Sequence, residues 1–337
     1  MVASIRVEPE SLTGDALSLA SAQAPILAPV ATSPAADPVS QGGTGVLDAH
    51  AGALTTVVEH AGTPRAHGGA VLAQTAASLQ AADADNAARL AAVAGGTAPA
   101  AASSAAALPV PATPPDVLLP EIPALTPPPM LPGDVLSKLI HAGPGPSGLQ
   151  DFADAWRARA DTLDDLADQV VFRGGAIDEH WIDGQQRAGA NTREHGYWLR
   201  DSAARARTIA AAASELAEQF DTAKTATPTP EQFDAARREF MAAHARRDPI
   251  GVAMAARQYT ELQTKAVAAA TTYHGGVTSA VNTAPPAPST HWESRYRPRP
   301  PSPAAVPPSS RSIWAESTTT PTRVSVRIRH RQRRRTA

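Results

Sequence analysis

The densest set of side chains able to act as paired acid and base is the run Asp161, Asp164, Asp165 and Asp168. That chemistry needs carboxylates in unlike environments, turned toward one reacting bond. These four instead fall off an apolar stripe that runs from Leu149 through Phe152 and Trp156 to Val170 at three- and four-residue spacing, so they read as the solvated face of a helix. His50, His60 and His67 are ten and seven residues apart, whereas two metal ligands on one helix need a spacing of three or four and a carboxylate nearby. His180 and His195 are likewise isolated in sequence, and all five histidines read as solvent-facing or capping groups. Gly42-Gly43-Thr44-Gly45 has no lysine and no flanking strand, so it reads as a loop and not a phosphate cradle. No nucleophile elbow or dinucleotide fingerprint is present. The absence of cysteine excludes disulfides, thiolate metal sites and thiol catalysis. No catalytic residue, cofactor or metal is expected, and the chain reads as non-enzymatic.

The elements that would position any site are helical. The 337 residues are about one-fifth alanine, with 32 prolines and only 4% aromatics, a composition suited to helices packed through small side chains. A first helix is expected over 8–30, with Leu12, Ala16, Leu19 and Ile26 on one face, followed by a loop from Pro34 to Gly45. A second apolar stripe runs from Leu47 to Leu90, with a kink or break expected at Gly62-Thr63-Pro64. Gly95-Gly96 closes this antiparallel two-helix unit. Residues 94–130 read as an Ala/Pro-rich linker, and Val135–Ile140 as a short helix. Ser147 and Gln150 form a capping-box pattern for the next helix, which Arg173-Gly174-Gly175 is expected to end. A second long helix carries Leu199 to Phe220. A third starts at the capping box Thr229/Gln232, and a fourth is capped by Asp248 and runs to about Tyr273. No stretch outside the tail alternates like a half-buried strand over more than about five residues. The fold class is all-α.

Two features remain. The junction Glu179-His180-Trp181-Ile182-Asp183-Gly184 sets an indole between two long helical stretches. Residues 284–337 lose all periodicity and are expected to be disordered and rich in Pro and Arg. Residues 291–337 hold eleven arginines against two glutamates, a net of +9, which leaves −11 for the rest of a chain whose total is −2. Arg327, Arg329, Arg331, Arg333, Arg334 and Arg335 are candidates for binding a polyanion or an anionic lipid surface. A solubilising end without a dedicated partner, or a change of reading frame near Thr290, fits the same composition. The first ten residues lack the basic-then-apolar pattern of a classical secretion signal, and no apolar run of about 18 residues occurs, so any export takes another route.

The segment Leu149-Gln-Asp-Phe152-Ala-Asp-Ala-Trp156, the Trp181 turn and the helix after it resemble the PPE-like half of EspB-like substrates of mycobacterial ESX (type VII) secretion systems. Val7-Glu-Pro-Glu-Ser-Leu12, and His67-Gly-Gly-Ala-Val-Leu72 through Leu90, resemble the PE/EspC-like hairpin of the same family. The resemblance divides the chain into a hairpin (1–93), a linker (94–130), a PPE-like domain (131–283) and a basic tail (284–337). It implies an elongated bundle with the hairpin packed along the PPE-like helices, no enzymatic activity, and export to the envelope or beyond through the type VII machinery. It also implies self-assembly into ring-shaped oligomers and binding of anionic phospholipid, with nucleic acid not expected. The family's export signal is a tyrosine followed four residues later by an acid. Its matching place here reads Leu79-Gln-Ala-Ala-Asp83, with Leu79 where the tyrosine would be. Tyr197-Trp-Leu-Arg-Asp201 is a second, literal match on the helix after Trp181. The family's Trp-x-Gly turn corresponds to Trp181 and Gly184, with one extra residue between them. Two other roles stay open from the residues: a scaffold retained at the secretion machinery, and a polyanion binder acting through the tail.

Overall fold

Asp37 and Pro38 set the start of the longest helix. The Asp37 carboxylate accepts from the backbone N–H groups of Val39 and Ser40, each at 3.0 Å, and the proline ring takes a first-turn place whose N–H would have had no partner. In the computed structural model, which describes residues 6–22, 29–96, 121–127, 130–182 and 187–284, this helix is α2 (Pro38–Ala94). Before it come β1 (Arg6–Val7) and α1 (Pro9–Ser21). After it come α3 (Gly133–His141), α4 (Ser147–His180), β2 (Trp181–Ile182), α5 (Arg187–Ala226), α6 (Pro230–Ala245) and α7 (Pro249–Thr283). The described part is all-α except for the antiparallel ladder of β1 with β2. It lies within one compact unit, Met1–Tyr296.

Leu12, Leu47, Trp156, Leu216 and Val277 belong to a single core, so the N-terminal helices and the later ones share one interior. Each such large apolar side chain contributes roughly 1.5–3 kcal/mol on leaving water. Alanines and glycines fill the closest contacts. Trp156 is fully buried with Phe152 tilted against it at 6.0 Å, and Tyr273 meets the edge of Phe220 at 6.2 Å.

Several boundaries differ from the sequence reading, each because packing outweighs local propensity. The first helix stops at Ser21 and not at 30. Ala22 then gives its carbonyl to the buried Arg65, whose Nε donates at 3.0 Å, while the non-helical Ala31 is tied through its N–H to Asp48 at 2.8 Å. Gly42–Gly45 is not a loop but lies inside α2. A Cβ at Gly43 would press on Val277 and sit 3.2 Å from Leu216, so this glycine serves the approach of α5 and α7. Pro64 does not break α2. A helix-interior proline costs about 3 kcal/mol, and here it sits between the fully buried Ala61 and Arg65, which is bonded to the Ala22 carbonyl.

Gly174-Gly175 does not end α4, which continues to His180; a Cβ at Gly174 would lie 2.8 Å from the Gly189 carbonyl oxygen of α5. Ser147 and Gln150 form no capping box. Pro146 takes the cap position, and its carbonyl accepts from Leu149 and Gln150 at 3.0 and 3.1 Å. Other signals hold. Gln232 accepts from the Thr229 N–H at 2.9 Å, Asp248 accepts from the Gly251 N–H at 3.0 Å, and the short helix expected at Val135–Ile140 is α3. The last helix runs ten residues past Tyr273, burying Val277 and Val281. Most of the expected linker, and the expected disorder beyond residue 284, lie outside the described residues.

Candidate functional site

The Trp181 junction is built by the N-terminus. α4 ends when Trp181 takes an extended conformation (φ −132°, ψ 98°) after donating its N–H to the Ile177 carbonyl. Val7 then pairs with Trp181 and Arg6 with Ile182, and the Glu8 N–H donates to the His180 carbonyl at 2.9 Å. The indole is half-buried against the core and not sunk in it. Gly184 lies outside the described residues.

A buried carboxylate fastens this end. Asp15 of α1, only 3% exposed, accepts from the Arg173 guanidinium at 3.1 Å and meets His180 Nδ1 at 2.8 Å. Asp15 falls three residues after Leu12 and four before Leu19, on the apolar face of its helix. A charge on that face is the one local signal in the sequence for a buried ion pair.

His195 is not solvent-facing. It is 7% exposed, stacked on Trp198 at 5.7 Å with an 11° interplanar angle, and its Nε2 lies 3.3 Å from Arg65 Nη1. Arginine has only donors, so Nε2 accepts and the ring is neutral. Burial, then the Arg65 charge, pushes its pKa down to about 3. Burial also lowers the pKa of Arg65. Arg65 thereby ties α2 to the end of α1 and to α5.

The aspartates of α4 do face solvent, but they also bridge helices: Arg207 of α5 reaches Asp161 at 2.8 Å and Asp164 at 2.7 Å, and Arg200 reaches Asp168 at 2.6 Å. Such exposed pairs orient helices more than they stabilise them. Among the described residues no group of three potential ligands could hold a metal ion. A groove of about 280 Å³ between α5 and α7 is floored by Ala223 and Ala269, with Lys265 and Tyr273 at its sides. The Tyr273 hydroxyl is already engaged with Ser40 at 2.9 Å, and burial pushes its pKa above the usual tyrosine range.

The two export-signal candidates sit on different helices. Leu79 is half-buried and Asp83 exposed on α2, beyond Ala76, the last fully covered residue of that helix. Tyr197 lies on α5, 52% exposed, with the Arg200 guanidinium 5.7 Å from its ring, and Asp201 accepts from Arg205 Nε at 2.9 Å. Trp181 belongs to neither helix. The arginine cluster of the tail lies outside the described residues.

Residues 129–285 match the model of the PPE family. The arrangement of helices decides the rest. The chain has an EspB-like fold. It superposes on the crystal structure of EspB from the ESX-1 type VII secretion system with a TM-score of 0.65 and 20% identity, over 81% of this chain and 93% of that one. Against Mycobacterium marinum EspB the TM-score is 0.56 at 15% identity, covering 84% and 96% of the two chains. A structure described only as a mycobacterial protein gives 0.53 at 20% identity, covering 80% and 90%. No curated protein sequence matches significantly. Neither the PPE match nor the EspB-like fold is that of a known enzyme family. Among the described residues no helix is long and apolar enough to cross a membrane.

Proposed function

We propose that this chain is a non-enzymatic substrate of a type VII secretion system that acts, once outside the cell or in its envelope, as a structural, self-assembling and lipid-interacting factor. The observation that carries the reading is the EspB-like arrangement over four-fifths of the chain, with a PPE match over residues 129–285. Asp83, exposed near the free end of α2, is the acid of the export signal, and Leu79 fills the tyrosine's place. Trp181, held by β1 and half-exposed, is the second recognition element. Tyr197 and Asp201 are the alternative signal.

The test is to follow the protein between cell pellet and culture filtrate in its own host, with and without a working type VII system. Appearance in the filtrate only with that system supports the reading. Retention in the pellet under both conditions points to a scaffold that stays with the machinery.

The lipid role draws support from the α6–α7 end. Arg238, Arg246 and Arg247 are exposed there and engage no carboxylate among the described residues, and Met241, Ile250 and Met254 are 63–72% exposed beside them. Cations next to apolar side chains suit an anionic membrane surface. Vesicle flotation at rising salt, with Arg246 and Arg247 changed to glutamate and with residues 291–337 deleted, separates this end from the tail arginines as the source of binding.

A further inference from the structure

We propose that the free end of α2 is a self-pairing surface, through which two copies of the chain join as a short antiparallel coil. In it Leu79 of each copy packs on Leu90 of the other, and Asp83 of each meets Asn86 of the other.

The seam by which α2 packs on its own bundle runs out abruptly. Ala76, Leu79, Asp83, Asn86, Leu90 and Val93 follow one another at alternating spacings of three and four, the repeat of a two-helix seam. Ala76 is fully covered and Leu79 half-buried, whereas Leu90 is 71% and Val93 64% exposed. The stripe that faces the core therefore continues, without a change of phase, onto a face turned to solvent. Large apolar side chains in register with a buried interface mark a place where that interface can be extended.

The order of residues on the stripe selects a second copy, in one orientation. With two such helices antiparallel and centred between Ala84 and Asp85, facing positions pair as Leu79 with Leu90, Asp83 with Asn86, and the same again across the two-fold axis. Each carboxylate then meets an amide that can donate to it. A parallel pair would set Asp83 against Asp83 in the seam, which like-charge repulsion opposes. The contact is isologous and closes on itself, giving a dimer and no filament. A seam of this length falls below the roughly 1,200 Å² of a standard stable interface. Pairing is therefore weak and calls for high protein concentration.

The chain has no cysteine, so engineered thiols report the pairing directly. Leu79→Cys and Leu90→Cys variants of the full chain are oxidised separately and as a mixture, alongside sedimentation equilibrium of the parent and of Leu90→Asp. The expected result is a disulfide-linked dimer from the mixture and little from either variant alone. The parent should dimerise reversibly, and Leu90→Asp should weaken this at least about tenfold while far-UV dichroism stays unchanged. Leu90 is already exposed, so that variant folds. A parent that is monomeric throughout overturns the proposal. So does a Leu90→Cys variant that links to itself as readily as the mixture does.

Discussion

Asp15 and His195 show how single polar side chains hold an alanine-rich interior in register. Asp15→Ala would leave Arg173 and His180 without their shared acceptor. The expected loss is about 1–3 kcal/mol in urea unfolding. His195 makes stability depend on pH. Its folded-state pKa of about 3 lies below the ordinary value of 6.5, so the unfolded chain takes up the proton first. The neutral ring's contribution is whole above the ordinary value and is lost as pH falls from there toward the depressed one, by up to about 1.4 kcal/mol per pH unit. His195→Phe should flatten that slope between neutral and mildly acidic urea melts, whatever it does to stability at neutral pH. An unchanged slope would place the acid sensitivity elsewhere. Trp181 is half-buried, so Trp181→Ala should cost only about 1–2 kcal/mol. None of these three environments follows from local sequence alone, because Asp15 meets Arg173 and His180 of α4, His195 meets Arg65 of α2, and Trp181 pairs with β1.

Helices were legible where periodicity and caps agree, as at Thr229/Gln232 and Asp248, and misread where glycine or proline had a tertiary purpose. Gly174 and Gly175 make the point within one dipeptide. An added Cβ at Gly174 lands 2.8 Å from the Gly189 carbonyl oxygen and 3.0 Å from the Arg193 nitrogen, while at Gly175 it meets nothing within 4 Å. Gly174→Ala should therefore destabilise by roughly 1–3 kcal/mol. Gly175→Ala should stabilise by roughly 0.5–1 kcal/mol. Thermal melts of the two variants decide this, and equal shifts would refute the close-approach account. The same reasoning explains Gly43 and Pro64: local rules predict a loop and a break, and contacts with α5, α7 and Arg65 override both. At the candidate site, the place of Trp181 between two long helices was legible. The ladder that holds Trp181 was not, since a two-residue strand has no period to detect.

Among the described residues one core runs from Leu12 to Val281, joining α1 and α2 to α4, α5 and α7, and this bears on how the bundle unfolds. The hairpin and the PPE-like helices should melt in one cooperative transition, with calorimetric and van't Hoff enthalpies in agreement. Two resolved transitions would mean the hairpin docks loosely. Asp83→Ala, at an exposed helix position, should reduce export while leaving helicity intact. Unchanged export would move the signal to Tyr197 and Asp201. The uninterrupted course of α2 also has a mechanical side. Its 57 residues make a strut about 85 Å long, seated at one end by Asp37, Ser40 and Tyr273 and exposed at Leu90 and Val93 near the other. Traction applied to the free end loads the contacts with α1, α5 and α7 in shear, all together, so the bundle should resist it up to a high rupture force. Traction on the N-terminus peels the β1 ladder and α1 one contact at a time. A motor that drew on the far end of α2 would therefore meet a stiff rod, and one that drew on the N-terminus a zipper.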